Sequence, residues 1–533
     1  MKVATMNRTI IVLFNAILFF AFFLVTTPLF NSSDNVFCLY LLGGGFGQAP
    51  TELIYYNHLL HPVITVVIRK LFLLDPYVNW YSVILIFFQF IASSVIAVRL
   101  ISRQPLKIAM LVYSLFFIVF QSYFLLSISF TNTSIILTIA AIFLLVPMSQ
   151  KKMITFKESL CVIALLIFAS LFRIHTIIPL IGMSLPFFIL FQKIKTIIRT
   201  FFIIGIAAFF ICLGNYIHQK IYTNSIPNWV QDEQYRQQLY SLFNDGYASH
   251  NVVANWQTEQ GLLKYALIID TNFIGTNKLI QIRSDLHAKR NNGSDNLDSS
   301  DSFKWFIINN RIFLGCFFFL LLFCKIDKQY ITVVLISFLC LITGCFILFY
   351  FVKLPDYVFL SGLGLLCLLI SLTSLMFPRH SLMYYAKFGV AFFFIFWGVI
   401  RIYKENKKNL DNNCSFKLAA TEVKKYPKYL FLVTDYSFPL DYVSVFDIPK
   451  EYPLDNVVLG WHYSYSFSLE MLKKFNINSV QKLPYASNVL LWGKPVQELL
   501  DYYSKSTNIN LEYSNPLPEF KYGEVRRFHL KEK

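Results

Sequence analysis

The sequence has 533 residues, of which 56% are hydrophobic and 18% aromatic, whereas only 14% are charged. This composition, with a mean hydropathy of +0.54, excludes an ordinary soluble protein and predicts an α-helical polytopic membrane protein. The formal net charge is +17. Many Lys and Arg residues lie in short connections between apolar runs, where cytoplasmic retention explains them, so we expect no nucleic-acid partner. None of the nine cysteines forms a CxxC pair, which argues against a zinc site.

About eleven apolar runs approach the length needed to span a membrane, which is roughly 20 residues. They lie near residues 9–30, 79–98, 108–126, 132–147, 158–172, 176–191, 200–218, 305–323, 330–351, 357–376 and 384–402. The fifth and sixth runs are short, and a broken hairpin is an alternative for this pair. The first run has the basic start of a signal peptide but is longer and lacks a convincing cleavage site, so we predict that it is retained.

Basic residues cluster in alternate connections, which predicts that these connections face the cytoplasm. The outer side then receives the loops 31–78 and 219–303 and the tail 403–533. Basic residues just after the last span favour the cytoplasm, but long translocated domains largely escape the rule. We therefore expect a transmembrane domain over residues 1–402 in the cytoplasmic (inner) membrane, with residues 403–533 as a soluble domain on the outer face.

The outer segments contain local patterns of their own. Residues 59–74 are apolar but interrupted by His61, Pro62, Arg69 and Lys70, which favours an interfacial helix, and the middle of the second loop has similar spacing. In the tail, short strands are predicted at 429–435, 443–448, 456–461, 488–493 and 524–530, with helices at SLEMLKKF and PVQELLDYYSK. Alternating strands and helices predict a small α/β domain.

The first loop holds the strongest candidate for chemistry. Asp34 follows the first span closely, so its carboxylate is placed to accept a proton or to hold a divalent cation; a solvated loop acid is the simpler alternative. Glu52, His58, His61 and Arg69 share this loop and are supporting candidates for substrate binding. The glycine-rich GGGFG at 43–47 matches no nucleotide-binding spacing, and a tight turn is its simplest explanation.

Arg173 and His175, in LFRIHTII, lie between two apolar runs. A charge at this depth is costly unless it faces a cavity or a partner, so it indicates function. An arginine fork can hold a phosphate with two hydrogen bonds, although an arginine reaching the surface at a hairpin turn is the alternative. Lys353 and Asp356, in FVKLPDY, form a second polar pair that either binds a phosphate or closes a turn.

An acid just beyond the first span, interfacial outer helices, about eleven spans and an outer C-terminal domain together resemble the GT-C class of integral-membrane glycosyltransferases. The segments SSDNVFCLYLLGGGFG and DPYVNWYSV look like the first loop of uncharacterised bacterial members. The resemblance implies transfer of a sugar from a polyprenyl-phosphate-linked donor to a lipid, glycan or protein acceptor. It implies Asp34 as the catalytic base or a metal-binding acid, and Arg173, with Lys353, as ligands of the lipid-linked phosphate.

The sequence departs from the acidic pair of that class, because Asn35 follows Asp34. Hard cations favour several carboxylate ligands, so this departure predicts a metal-independent, cofactor-free transfer. Fixed positive charge would then stabilise the leaving phosphate, while Asp34 deprotonates the acceptor hydroxyl. Two other functions stay open: a polysaccharide polymerase or ligase, which would depend on Arg and His in the second loop, and a lipid-linked glycan transporter, which would place paired ionisable residues in mid-span.

Overall fold

The computed structural model describes residues 2–54, 60–102, 104–146, 155–190, 192–244, 256–265, 267–268, 270–291, 306–323, 328–351, 356–372, 382–435, 437–459 and 466–531. The first elements are α1 (Lys2–Val25), β1 (Leu29–Phe30), α2 (Ser33–Gly43), α3 (Pro62–Leu74), α4 (Trp80–Ile101), α5 (Leu106–Phe116), α6 (Ser122–Leu126), β2 (Ser127–Ile128), α7 (Phe130–Leu145), α8 (Phe156–Arg173) and α9 (Ile177–Ile189). Then follow α10 (Ile194–Ser225), α11 (Trp229–Asn244), α12 (Gln257–Lys264), α13 (Thr276–Asn291), α14 (Arg311–Phe323), α15 (Lys328–Phe351), α16 (Asp356–Ser371) and α17 (Leu382–Lys424). The last are β3 (Leu430–Val433), β4 (Val457–Leu459), α18 (Ser466–Lys474), β5 (Val489–Trp492), α19 (Gln497–Thr507), β6 (Leu511–Tyr513), β7 (Val525–Arg526) and β8 (Phe528–Leu530).

The chain is mostly helical, as predicted for a membrane protein. Within the described residues, six helical stretches are long and apolar enough to cross a membrane: Met6–Val25, Trp80–Ile101, Leu106–Leu126, Phe156–Ile189, Ile194–Ser225 and Lys328–Leu348. Three shorter apolar helices are Phe130–Leu145, Arg311–Leu321 and Asp356–Ser371. The third stretch combines α5 and α6, which a single π-helical turn at Phe117–Gln121 joins. The fold is therefore that of a helical, multi-pass membrane protein.

The two ends of α4 identify the two ends of the helix bundle. Asn79, which precedes α4, donates from its side-chain amide to the backbone oxygens of Val445 (3.0 Å) and Asp447 (2.8 Å) in the tail. Near the other end of α4, Arg99 donates to the carbonyl of Leu144 (3.1 Å) and forms a 2.8 Å ion pair with Glu158 at the start of α8. These are named here the tail end and the Arg99 end of the bundle.

Helices α8 and α9 form a hairpin whose two open ends both lie at the Arg99 end. Helix α8 begins beside Arg99. Helix α9 ends beside the start of α15, which contacts the end of α16, and the end of α16 contacts Gln104, which follows α4. The hydrogen bonds that show this are Gln329 Nε2 to Leu190 O (3.1 Å), Tyr330 Oη to Leu369 O (2.6 Å) and Gln104 Nε2 to Ser371 O (3.2 Å). The helix breaks at Arg173, whose backbone is extended (φ −164°, ψ 109°), and a 3-10 turn at Ile174–Thr176 follows. This break therefore lies at the tail end.

Two groups of neutral polar side chains cross-link the interior of the bundle. Asn15 of α1 donates to Ser94 (2.8 Å) and accepts a hydrogen bond from Tyr113. Gln89 of α4 donates to Thr133 (3.2 Å) and accepts from Gln121 (3.1 Å). Buried polar groups are costly without such partners, so these bonds fix how α1, α4, α5 and α7 pack.

The tail contains a four-stranded sheet in the order β4-β3-β5-β7. Strands β4, β3 and β5 are parallel, and β7 is antiparallel to β5. All four residues of β3 and of β5 are buried, which is typical of central strands covered on both faces. A separate pair, β6 and β8, is antiparallel. The predicted strands at 429–435, 456–461 and 488–493 thus correspond to β3, β4 and β5.

Two strand predictions in the tail are wrong in part. Residues 443–448 form no strand of the sheet; Ser444 instead makes an isolated bridge with Leu29, and the Phe30 amide donates to Val443 O (3.1 Å). The predicted strand 524–530 is divided into β7 and β8, which belong to different sheets. Residues 443–448 therefore form hydrogen bonds with β1, a partner that their own sequence pattern does not indicate.

Helix α17 is 43 residues long and runs from the bundle into the tail. Along its length Arg401 donates to Ser122 (2.6 Å), Asn406 donates to Val25 O (3.0 Å), and Asn413 donates to Asp447 (2.6 Å). The last apolar run was predicted to end near residue 402, but the helix continues through a polar segment as far as Lys424. The tail is therefore attached to the bundle by continuous helix as well as by the contacts of the first loop.

Candidate functional site

Asp34 lies in the first turn of α2, at the tail end, and is half-buried. The chain enters this helix from β1, which pairs in parallel with β2 through Leu29 opposite Ser127 and Phe30 opposite Ile128. A negative charge in the first turn interacts favourably with the helix dipole. The start of α2 is therefore a favourable position for an acidic side chain.

Asn35, which replaces the second acid of the resembled class, is a structural residue. It is 2% exposed, and its side-chain oxygen accepts hydrogen bonds from the Tyr81 hydroxyl (3.0 Å) and the Phe130 backbone amide (3.1 Å). Its amide nitrogen donates to Ser32 (3.1 Å). A carboxylate is unable to donate and would bury a charge, so the amide suits this position better.

A second acid reaches Asp34 from the tail. Asp441 accepts hydrogen bonds from the backbone amide and the hydroxyl of Ser33, the first residue of α2. Water reaches the side chain of Asp441, yet the dense surrounding protein and the nearby charge of Asp34 raise its pKa, while the bonds from Ser33 oppose that shift. Sequence reasoning missed Asp441, because no local pattern connects positions so far apart in the chain.

Arg173 occupies the apex of the α8–α9 hairpin, on the same end of the bundle as Asp34. Its guanidinium donates to the hydroxyl of Thr131 (2.6 Å) and lies 5.7 Å from the ring centre of Phe130. Because the Phe130 amide also donates to Asn35, the residue after Asp34, the arginine and the acid both lie near the start of α7. The structure therefore brings these two predicted residues into one region.

An apolar cavity of about 440 Å³ begins at Arg173, and we name it the arginine cavity. Helices α9, α15 and α16 form its walls. Its lining includes Thr131, Ile135, Arg173, His175, Leu180, Met183, Leu341, Gly344, Leu348 and Tyr357. One positive group above an apolar channel matches an anion attached to a hydrocarbon chain.

A second cavity, of about 650 Å³, lies between α3, α8, α10 and α11, and we name it the histidine cavity. His61, His175 and His218 line it, together with Glu233 of α11. The rings of His61 and His218 meet edge to face with centres 5.2 Å apart. The cavity thus contains two of the predicted substrate-binding residues, His61 and His175, and His175 lines both cavities.

His61 uses both ring nitrogens within the protein. As the cap of α3, its Nδ1 accepts from the Val63 backbone amide (3.2 Å), so the proton lies on Nε2, which faces Gly214 O at 3.1 Å. Burial lowers the pKa of His61, and the bond with Gly214 opposes this only in part. The imidazole is therefore neutral near neutral pH.

Glu52 and Arg69 form a 2.7 Å ion pair with each other, and Arg69 also donates to Pro50 O (2.9 Å). This pair fixes the loop before α3 onto that helix, and the role of both residues in substrate binding stays a prediction. His58 and Lys353, the two remaining candidates, lie outside the described residues.

The GGGFG segment is a tight turn, as expected. Phe46 and Gly47 have positive φ angles of 50° and 68°, and the Gln48 amide donates to Gly45 O (3.0 Å). The Phe46 amide donates to Pro453 O (2.9 Å), and the Gly47 amide donates to Asp455 (2.8 Å). The turn therefore anchors the tail to the first loop.

Within the described part of the chain, no group of three or more His, Cys, Asp or Glu side chains is arranged to hold a metal ion. No protein-family model matches the chain, and comparison with characterised proteins finds none that is significantly similar. The interpretation of the site therefore rests on its geometry.

Proposed function

We propose that this protein is a membrane glycosyltransferase that moves a sugar from a polyprenyl-phosphate-linked donor to a hydroxyl acceptor. The proposal includes eleven spans. Nine apolar stretches are described above, and one of them contains two spans, α8 and α9. The first half of α17 is the eleventh span. It also includes an α/β domain over residues 403–533, and an active site on the outer face of the cytoplasmic membrane.

The observation that carries the proposal is the position of Arg173. Its guanidinium lines an apolar cavity that is walled by apolar helices, and Asp34 lies near the start of α7, which Arg173 also contacts. A lipid phosphate needs a cation at the membrane surface and a hydrocarbon channel below it. Transfer of its sugar also needs a base next to that cation.

In this mechanism Asp34 takes the proton from the acceptor hydroxyl as the oxygen attacks the anomeric carbon of the sugar. The bond between that carbon and the phosphate oxygen breaks, and the phosphate leaves with its electron pair. Arg173 stabilises the charge that develops on the phosphate. The proton on Asp34 then passes to water. Attack opposite to the leaving group inverts the configuration at the anomeric carbon.

The experiment is sugar transfer in membranes supplied with labelled lipid-phosphate sugars. Asp34→Asn is expected to lower kcat by about 100-fold or more, because general-base catalysis contributes at least that much. Arg173→Ala is expected to raise the donor KM and to lower kcat. Asp411→Asn and Arg311→Ala remove the same charges from exposed positions and serve as matched controls. Full activity in both Asp34→Asn and Arg173→Ala would refute the proposed roles.

The interior of the bundle favours this function over transport. Transporters of charged substrates place ionisable pairs near mid-span. Here the described cross-links among α1, α4, α5 and α7 are neutral, as in the contact of Gln89 with Gln121. The ion pair of Arg99 with Glu158 lies at the end of the bundle.

A further inference from the structure

The two cavities are separated by the short segment between α8 and α9. His175 lines both cavities, but Arg173 lines only the arginine cavity. Both cavities have walls made of helices long and apolar enough to lie in a membrane. An enzyme with one lipid substrate needs only one such cavity. The residues that line the second cavity therefore indicate what a second substrate would be.

The lining of the histidine cavity combines apolar and polar side chains. The apolar ones include Ile167, Ile174, Ile178, Phe210, Ile211 and Ile217. The polar ones offer an alcohol, three amides and imidazoles, from Ser170, Asn215, Gln219, Gln237 and the histidines. Hydroxyl and amide groups both donate and accept hydrogen bonds, which matches the hydroxyls of a sugar or polyol.

The lining carries no fixed positive charge. Among the described residues that line it, none is Lys or Arg. The acid Glu233 already accepts from Arg236 (3.1 Å) and Gln237 (3.2 Å), and His61 is neutral. A phosphate in this cavity would lose its hydration without gaining a cation, whereas the arginine cavity supplies one. The two cavities therefore select different headgroups.

We propose that the histidine cavity binds the acceptor, and that the acceptor is an uncharged, hydroxyl-rich amphiphile with a sugar or polyol headgroup on an apolar stem. This inference rests on the proposed function and adds to it the chemical class of the acceptor. The headgroup lies beside His175 and the hairpin apex, at the end of the bundle where Asp34 also lies, and the stem lies along α8 and α10.

Two glycines allow the cavities to be filled one at a time. Gly214 of α10 lines the histidine cavity, and a Cβ there meets only His61 Nε2 at 3.8 Å. Gly344 of α15 lines the arginine cavity, and a Cβ there meets nothing within 4 Å. Leucine favours helix more than glycine does, so Gly214→Leu and Gly344→Leu are expected to fold. Each variant serves as the control for the other.

The test uses the full chain in nanodiscs with a labelled donor and three acceptors: an octyl glycoside, the same sugar without the chain, and octanol. Transfer is expected to the octyl glycoside alone. Gly214→Leu is expected to raise the acceptor KM by about tenfold, equivalent to about 1.4 kcal/mol, and to leave the donor KM unchanged. Gly344→Leu is expected to raise the donor KM and to leave the acceptor KM unchanged.

A photoreactive octyl glycoside gives a readout that is independent of turnover, and it should label the wild type and Gly344→Leu but not Gly214→Leu. Equal labelling of all three proteins would overturn the inference. So would efficient transfer to the free sugar, or a Gly214→Leu variant that loses thermal stability but keeps its acceptor KM, as expected for a structural lipid. Failure of the wild type to transfer sugar or release lipid phosphate would instead refute the proposed function.

Discussion

The two halves of the proposed site are supported by different parts of the molecule. Asp34 depends on chain segments that are distant in sequence, whereas Arg173 depends on neighbouring helices of the bundle. The segment before Asp34 contacts the tail through Val445 N to Pro28 O (3.1 Å), Ser444 Oγ to Pro28 O (3.1 Å) and Phe30 N to Val443 O (3.1 Å). Docking of the tail therefore adds to the contacts of Asn35 and β1 that position the acid.

Two hydroxyls of α7 hold Arg173: that of Thr131 accepts from its guanidinium, and that of Ser134, one turn inside the helix, contacts its backbone. Ser134 Oγ lies 2.8 Å from Ala169 O, 2.9 Å from Arg173 O and 2.7 Å from the Thr176 hydroxyl. These bonds satisfy backbone carbonyls that the helix break leaves without intrahelical donors. The comparison teaches that the base and the cation can be perturbed separately, and the following variants exploit that difference.

The largest effect is expected from Asn35→Ala. The substitution leaves the buried Tyr81 hydroxyl and the Phe130 amide without their acceptor, which should lower the free energy of unfolding by about 3 kcal/mol. Because α2 loses its attachment to α4 and α7, kcat should fall while the donor KM changes little. Thermal unfolding and transfer kinetics measure both effects, with exposed Asn31→Ala as the control. A donor KM that rises as much as kcat falls would contradict the idea that Asp34 and Arg173 can be perturbed separately.

A smaller and opposite pattern is expected from Ser134→Ala. Loss of its hydrogen bonds to the hairpin apex should cost about 1 kcal/mol, and the displaced Arg173 should raise the donor KM about threefold, which corresponds to less than 1 kcal/mol. The value of kcat should stay near that of the wild type. Thr138→Val removes another buried hydroxyl of α7, which bonds only to Ser134 O (2.8 Å), and is the matched control. Equal changes of stability and donor KM in both variants would show that Ser134 has no special role in positioning Arg173.

The smallest effect concerns pH and the histidine cavity. Because burial lowers the pKa of His61 below the ordinary 6.5 of the unfolded chain, the stability that its neutral form contributes is present above that pH and is lost as pH falls through 6.5. His61→Asn keeps a helix-capping group but has no titration. Between about pH 7 and pH 5, the melting temperature of the wild type should fall relative to this variant by about 1–2 °C. His529→Asn is the surface control, and parallel profiles for wild type and His61→Asn would show that His61 does not titrate as described.

Much of the fold follows from local pattern. Apolar runs predict the helices of the bundle, interrupted hydrophobicity predicts α3, and glycines predict the turn at residues 43–47. These features are decided by residues close to one another in the chain. The extension of α17 to Lys424 was missed because its polar half has no apolar run, and helix propensity alone is a weak signal.

The site is less accessible to sequence reasoning than the fold. Arg173 attracts attention because a charge between apolar runs is costly, and that argument needs no partner. Asp441 and Ser134 carry no such signal, since their importance comes from what reaches them in three dimensions. The apolar pattern at 443–448 indicates a strand but not its partner, which is why the sheet prediction fails there.

Helix α17 also has a mechanical consequence. At 43 residues it is about 65 Å long, and it is braced by Ser122 in the bundle and by Asp447 in the tail. A continuous helix resists bending, so a tilt of the tail is expected to tilt the first half of α17, which packs on the bundle, as well. Tail and bundle are therefore expected to move as one body, and in the proposed function the substrates would enter laterally from the lipid.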